Sequence, residues 1–442
     1  MDREGSGPPG LAPRDLEPLR RAAARPEGVG PTLRRLTAYL EKRYRFGELL
    51  RAHLQEGRLR PQIGIRDVFE SVFLLFAQRL PSLNALEEVL RRRGPPLVEE
   101  RVPSPDTLGY AFSRMPPEGV RALLQEICRR ARRNKALRHR GPPTPWTAAV
   151  DGHELFKSFR RRCERCLERT VRHGEKELLQ TYHPVVVAHL VDAEPPLSLD
   201  AELTAPGEGE VTAARRLVER VLETYPFVEV FTFDALYLEA PLLRQIVEAG
   251  RGAIVVLKQE RRDLYQDVQG LLPAVARQEV VLEGERLEVW DIPELRSWEA
   301  LKDIPVRVVR TIRHRRVRER TGKEWKEKEE VQDWMWATVG LDPRLSALTI
   351  HRLGHARWDE EEAFNEQDRE FGLDHCFKHD PTAILNFVLT LFLAAVTTEL
   401  FFTRNLKPAL REGMSLAGLA RIFLEHAPRP GESSIWALPR AP

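Results

Sequence analysis

Along residues 31–136 the apolar positions recur at three- and four-residue spacing, as in Val68-Phe69-Val72-Phe73-Leu75-Phe76, and Pro or Gly clusters interrupt them. This pattern predicts four to six short helices. Gly141-Pro-Pro-Thr-Pro145 breaks it and marks a boundary. Beyond that point come short apolar, β-branched runs of strand type: the run ending at Val150, Pro184–Val191, Leu197–Leu203, Val230–Phe233 and Ala253–Leu257. Helical periodicity returns over 211–225 and 240–249. After Lys258 the spacing turns to alternation over 279–289, 306–317, 331–339 and 348–353, separated by charged turns such as 318–330, which predicts a strand-rich insertion outside the core. The apolar run 383–402 contains Asn386, Thr390, Thr397, Thr398 and Glu399, and it reads as a buried helix rather than a membrane span.

The middle of the chain therefore runs three strands, helix, strand, helix, strand. That is the order of a ribonuclease H-like core, a mixed five-stranded α/β sheet flanked by helices, in which the first and fourth strands are neighbours. The expected organisation is 1–30 disordered, being rich in Pro, Gly and Arg; 31–140 an all-α, basic, DNA-binding domain; 147–258 with 345–402 the core; 259–344 the β-strand-rich insertion; and 403–442 a C-terminal tail.

Charge sharpens this division. The net charge is +3, but 28 of the 69 Lys and Arg, against 17 of the 66 Asp and Glu, fall in residues 1–150. A basic first third beside an acidic remainder fits a polyanion-binding module joined to a domain that uses carboxylates. Arg129, Arg130, Arg132, Arg133 and Lys135 end the last predicted helix, several of them on one face, and are candidates to neutralise phosphates. Lys258 closes the fifth strand. A second cluster, including Arg313, Arg315 and Arg316, runs beside Trp334 and Trp336, a combination suited to a nucleic-acid strand with unstacked bases; a solvated hairpin over packed Trp is the other reading. Four Cys in 442 residues make no disulfide framework, and the first residues carry no apolar leader, so the expected location is cytoplasmic.

Candidate chemistry begins with two acids. Asp151 and Asp234 each end a buried strand, where an ionised carboxylate costs several kcal/mol without a partner. Two such groups converging on one point call for a shared proton or a divalent cation, and hard oxygen ligands favour Mg²⁺ or Mn²⁺. Either Asp alone reads most often as a turn former or helix N-cap. Cys163-Glu-Arg-Cys166 is half of a zinc knuckle, with His173 and His183 as candidates for the other half, although neither spacing matches a standard pattern; reduced thiols in a basic loop are the alternative.

Val150-Asp151-Gly152, Asp234-Ala-Leu-Tyr237, and Arg357 followed four positions later by Glu361 together resemble the DDE transposases of bacterial insertion sequences, in the cut-and-paste branch with a strand-rich insertion before the last acid. The resemblance covers roughly 147–402. It implies Asp151, Asp234 and Glu361 as a metal-binding triad, Arg357 as the signature arginine beside it, and double-stranded DNA with terminal inverted repeats and target DNA as partners of a homodimer. The chain departs from the family signature in carrying Gly354 and Asp368 where Tyr and Lys stand, and Glu360 and Glu362 flank Glu361. Two ions about 3.5 to 4 Å apart would activate water and stabilise the leaving oxyanion of a phosphodiester. A repurposed, catalytically inactive DNA-binding protein and a ribonuclease H-like nuclease acting on another nucleic acid are the competing readings.

Overall fold

The structure, a computed structural model, describes residues 32–93, 101–174, 176–258, 262–282, 284–321 and 324–425. The expectation for 1–30 lies outside them, as does the part of the expected C-terminal tail beyond residue 425. In chain order the main elements are α1 (Leu33–Tyr44), α2 (Phe46–His53), α3 (Ile65–Ala77), α4 (Leu83–Arg93), α5 (Pro105–Arg114) and α6 (Pro117–Arg133). Then follow β1 (Thr147–Ser158), β2 (Leu167–His173), β3 (Lys176–Val191), β4 (Leu197–Leu203), α7 (Glu210–Thr224), β5 (Val230–Phe233), α8 (Ala240–Glu248) and β6 (Gly252–Val256). The remainder is α9 (Arg262–Leu271), β7 (Gln278–Leu282), β8 (Glu285–Leu295), β9 (Val306–Thr321), β10 (Glu324–Val339), α10 (Ala347–His355), α11 (Trp358–Phe371), α12 (Pro381–Asn405) and α13 (Leu416–Glu425).

These elements divide into two compact units. One takes its described residues from 32–138, 154–183 and 364–425, the other from 139–153 and 184–363.

The first unit is mainly helical. Local chemistry starts its helices: Thr32 and Ser104 accept from the backbone N–H of Arg35 and Thr107, and Pro105 and Pro117 sit at first-turn positions where no N–H is needed. At its centre α12 packs against α3, α5 and α6. This helix is long and apolar enough to cross a membrane, yet 83% of its apolar window is buried inside the protein. Three of its polar side chains bond to backbone carbonyls. Asn386 Nδ2 donates to the carbonyls of Phe112 (2.9 Å) and Met115 (2.8 Å), and Thr390 and Thr397 bond back to carbonyls one turn earlier. The β2–β3 hairpin, registered from Leu167↔Tyr182 to His173↔Lys176, belongs to the same unit.

The second unit is built on a mixed sheet. Strand order runs β4–β3–β1–β5–β6, so the first and fourth core strands are indeed neighbours. The β1–β5 and β5–β6 pairs are parallel, and helices α7 and α8 pack on strands of this sheet. The sheet does not stop at β6. Trp336↔Val256 through Val339↔Ala253 pair β10 antiparallel to β6, and β9, β8 and β7 follow in turn. The strand-rich insertion is therefore hydrogen-bonded to the core as a continuation of its sheet, which covers an edge that would otherwise expose unpaired backbone groups.

One expected strand is a helix. Residues 348–353 form part of α10, capped by the Ser346 side chain, which accepts from Thr349 N–H at 3.1 Å. Ile350 and Leu353, three residues apart, enter the core cluster with Ile254, Val256, Val289, Val309 and Trp336. Six residues cannot separate period two from period 3.6, and the cap decides.

Gly354 lies against the Trp336 indole: a Cβ there would come within 2.3 Å of Nε1 and 2.6 Å of Cε2. A rigid ring cannot yield as a flexible side chain does. Gly354→Ala should therefore cost about 1–3 kcal/mol by overpacking, despite the better helix propensity of Ala. A chemical-denaturation midpoint equal to or above that of the wild type would contradict this packing.

Candidate active site

Strand register brings the first two acids together. In the parallel pair Val150 lies opposite Phe233, so Asp151 and Asp234 are the next residues on adjacent strands. Asp234 then caps a single 3₁₀ turn, Ala235–Tyr237, and Lys258 Nζ stands 3.4 Å from its Oδ1.

The third element is α11. Its first turn is tied down by Asp359, whose Oδ2 accepts from the Asp192 backbone N–H at 3.1 Å and pairs with Arg140 at 2.9 Å. Asp192 in turn pairs with Arg352 at 2.7 Å. Just before the helix, the buried Arg357 reaches both ways. Nη1 donates to Asp151 Oδ2 at 3.0 Å and Nη2 to Glu361 Oε1 at 2.8 Å. The guanidinium thus links the acid on β1 to the acid on α11, and the structure connects all three sequence-predicted acids to one sheet end.

Two further carboxyls stand there. Glu360 is fully buried, and neither oxygen has a hydrogen bond of full geometry; the Asp151 backbone N–H gives only partial compensation. Burial first, and the nearby Asp151 second, push its carboxyl well above the usual range. Glu361, by contrast, is 47% exposed. Glu210, first residue of α7, accepts from the Tyr237 hydroxyl at 2.6 Å, and its carboxylate fills the space beside Gly152, where a Cβ would meet it at 2.3 Å. Burial and Glu210 raise the Tyr237 hydroxyl well above its ordinary range, which keeps it a donor. Glu210 escaped the sequence reading because an acid in a first helical turn is already accounted for by the helix dipole.

The remaining sequence candidates are less concentrated. Arg129, Arg133 and Lys135 are exposed, while Arg130 turns inward to Glu126 and the Tyr44 carbonyl and Arg132 is half-buried. Arg313 and Arg315 both pair with Glu285, and Arg316 is exposed. Trp336 is buried and Trp334 packs against Trp336, His355 and Trp358, so these rings serve the core rather than a base-stacking surface. Cys163 and Cys166 are both reduced and adjoin His183 and His379; the His173 side chain lies outside the described ones.

Five carboxyls against Arg357 and Lys258 leave this sheet end short of positive charge. Burial, aided by Glu210 and Asp234, lifts Asp151 to about 6 in spite of Arg357. A set of oxygen donors held short of countercharge fits a hard divalent cation. Because the Asp151 value lies above its ordinary 3.8, the stability this group contributes is complete below about pH 4 and lost as pH rises through about 6. Carboxyl-carbon NMR of wild type against Asp151→Asn should show this midpoint near 6 without metal, and Mg²⁺ should move it down. A midpoint in the ordinary Asp range without metal would contradict the burial described.

The family model for the transposase DDE domain matches residues 161–397, more than half of the chain. The matched span takes in Asp234, Arg357, Glu360 and Glu361, while Asp151 lies just ahead of it. No curated protein matches. With the family comes a transposase function, and with that function DNA binding and cleavage of nucleic acid. The chain belongs to the DDE transposase family.

Proposed function

We propose that this protein cuts DNA at the terminal inverted repeats of an insertion element and joins the freed ends to target DNA. The observation that carries the proposal is the meeting of Asp151, Asp234 and Glu361 at one sheet end through the β1–β5 register and the Arg357 bridge. The strand order β4–β3–β1–β5–β6 supports a ribonuclease H-like core carrying them.

In this reading Asp151, Asp234 and Glu361 hold Mg²⁺ or Mn²⁺, two ions in the working complex. Bound there, the metal supplies activation of the attacking oxygen and stabilisation of the leaving one. The chain's own residues prepare the place. Asp151 and Asp234 are fixed by backbone pairing and so need no ordering when substrate arrives. Arg357 neutralises Asp151 and Glu361, and its planar fork is also suited to a phosphate oxygen. Lys258 offers a second cation beside Asp234. Exposed Arg129, Arg133, Lys135 and Arg316 would supply phosphate contacts that fix position without reading sequence. Two ends must be brought together, which favours a homodimer as the active complex.

Supercoiled DNA carrying the element's ends, incubated with the protein and Mg²⁺, should be cut at those ends. Asp234→Ala and Glu361→Gln should each lower the rate by about two to three orders of magnitude, the loss expected when several kcal/mol of metal-borne stabilisation go. Undiminished cleavage by Asp234→Ala would sink the assignment. Preferential cutting of an RNA–DNA hybrid would move the reading to a nuclease of another substrate.

A further inference from the structure

A second polar cluster lies in the helical unit. Cys163 and Cys166 form the turn before β2, His183 lies on β3, and His379 stands just before α12. Their Sγ and Nε2 atoms all fall within 4.8 Å of one another. The two sulfurs are 3.7 Å apart and the two Nε2 atoms 3.3 Å, while a tetrahedral zinc with ordinary bond lengths sets these edges at about 3.75 and about 3.35 Å. Sulfur–nitrogen contacts of 3.2–3.3 Å run from Cys163 and Cys166 to His183 and from Cys166 to His379, against about 3.5 Å for the same tetrahedron.

The arrangement is costly without an ion. His183 and His379 turn ring nitrogen towards ring nitrogen at 3.3 Å. The backbone N–H groups of Arg165 and Cys166 point at the Cys163 sulfur, as they would to support a thiolate. His183 and Cys166 are buried, and the Phe156 ring closes one side at 5.3 Å from His183 and 5.5 Å from His379. A sulfur separation of 3.7 Å is no disulfide.

We infer that Cys163, Cys166, His183 and His379 form a structural zinc site of Cys₂His₂ type. Four protein ligands leave no open position, which makes the site structural rather than catalytic. The ion would fasten the β2–β3 hairpin to the start of α12 across 196 residues of sequence, and would brace the exposed run Arg160, Arg161 and Arg162 that leads into the Cys163 turn.

Full-length protein purified without added metal should retain about one zinc per chain through dialysis. Cobalt exchanged into it should give the visible bands of a tetrahedral ion and a thiolate charge-transfer band in the near ultraviolet. Asp234→Ala should keep both signals, which separates this site from the carboxylates. Cys163→Ser/Cys166→Ser should lose the charge-transfer band and retain less than about a tenth of the zinc. Should that variant fail to fold, the wild type decides. Wild-type protein holding no zinc, showing no thiolate band, or carrying a Cys163–Cys166 disulfide would overturn the inference.

Discussion

The parallel pairing of β1 with β5 is the constraint on which the candidate site depends. Backbone hydrogen bonds set Val150 against Phe233, and the next step along each strand places a carboxylate. Because register in a buried strand is fixed by which side chains face the core, Asp151 and Asp234 cannot drift apart without turning an apolar set outward. The proximity of two acids is thus enforced by the hydrophobic interior and opposed by electrostatics. Arg357, buried and forked between Asp151 and Glu361, offsets part of that opposition.

The acids beyond the strands are positioned by a different device. The start of α11 is held by a chain of charged bonds, Arg352 to Asp192, the Asp192 backbone N–H to Asp359, and Asp359 to Arg140. Such a network carries no chemistry of its own. It sets where the first turn of the helix begins, and therefore which of three successive glutamates is buried beside Asp151 and which turns outward to meet Arg357. A spacing rule from Arg357 selects Glu361, and the geometry agrees that Arg357 grips it. The burial of Glu360 was invisible to that rule, since a run of three acids in a first turn has no polarity pattern to read.

Much of the architecture was legible for simple reasons. Apolar β-branched runs of four or five residues bounded by turns, such as Val230–Phe233 and Gly252–Val256, have few alternatives to a buried strand, and α7 and α8 carry enough turns for their period to be plain. Other features were not legible. Residues 348–353 were too short for period to discriminate, and Ser346 settled them as helix. The insertion's attachment to β6 depends on antiparallel pairing across eighty residues, which alternation within a strand does not encode. His379 could not be joined to the Cys-x-x-Cys turn because its proximity comes from tertiary packing and no local spacing announces it.

The contact between Gly354 and Trp336 has an evolutionary side. The space that a side chain at 354 would enter is occupied by an indole from β10. The two positions form a single steric unit: a descendant that places a side chain at 354 on α10 must first shrink the residue on the strand. Substitutions at 336 and 354 are therefore expected to arise as pairs across the lineage, with the bulk exchanged between strand and helix and the total kept constant.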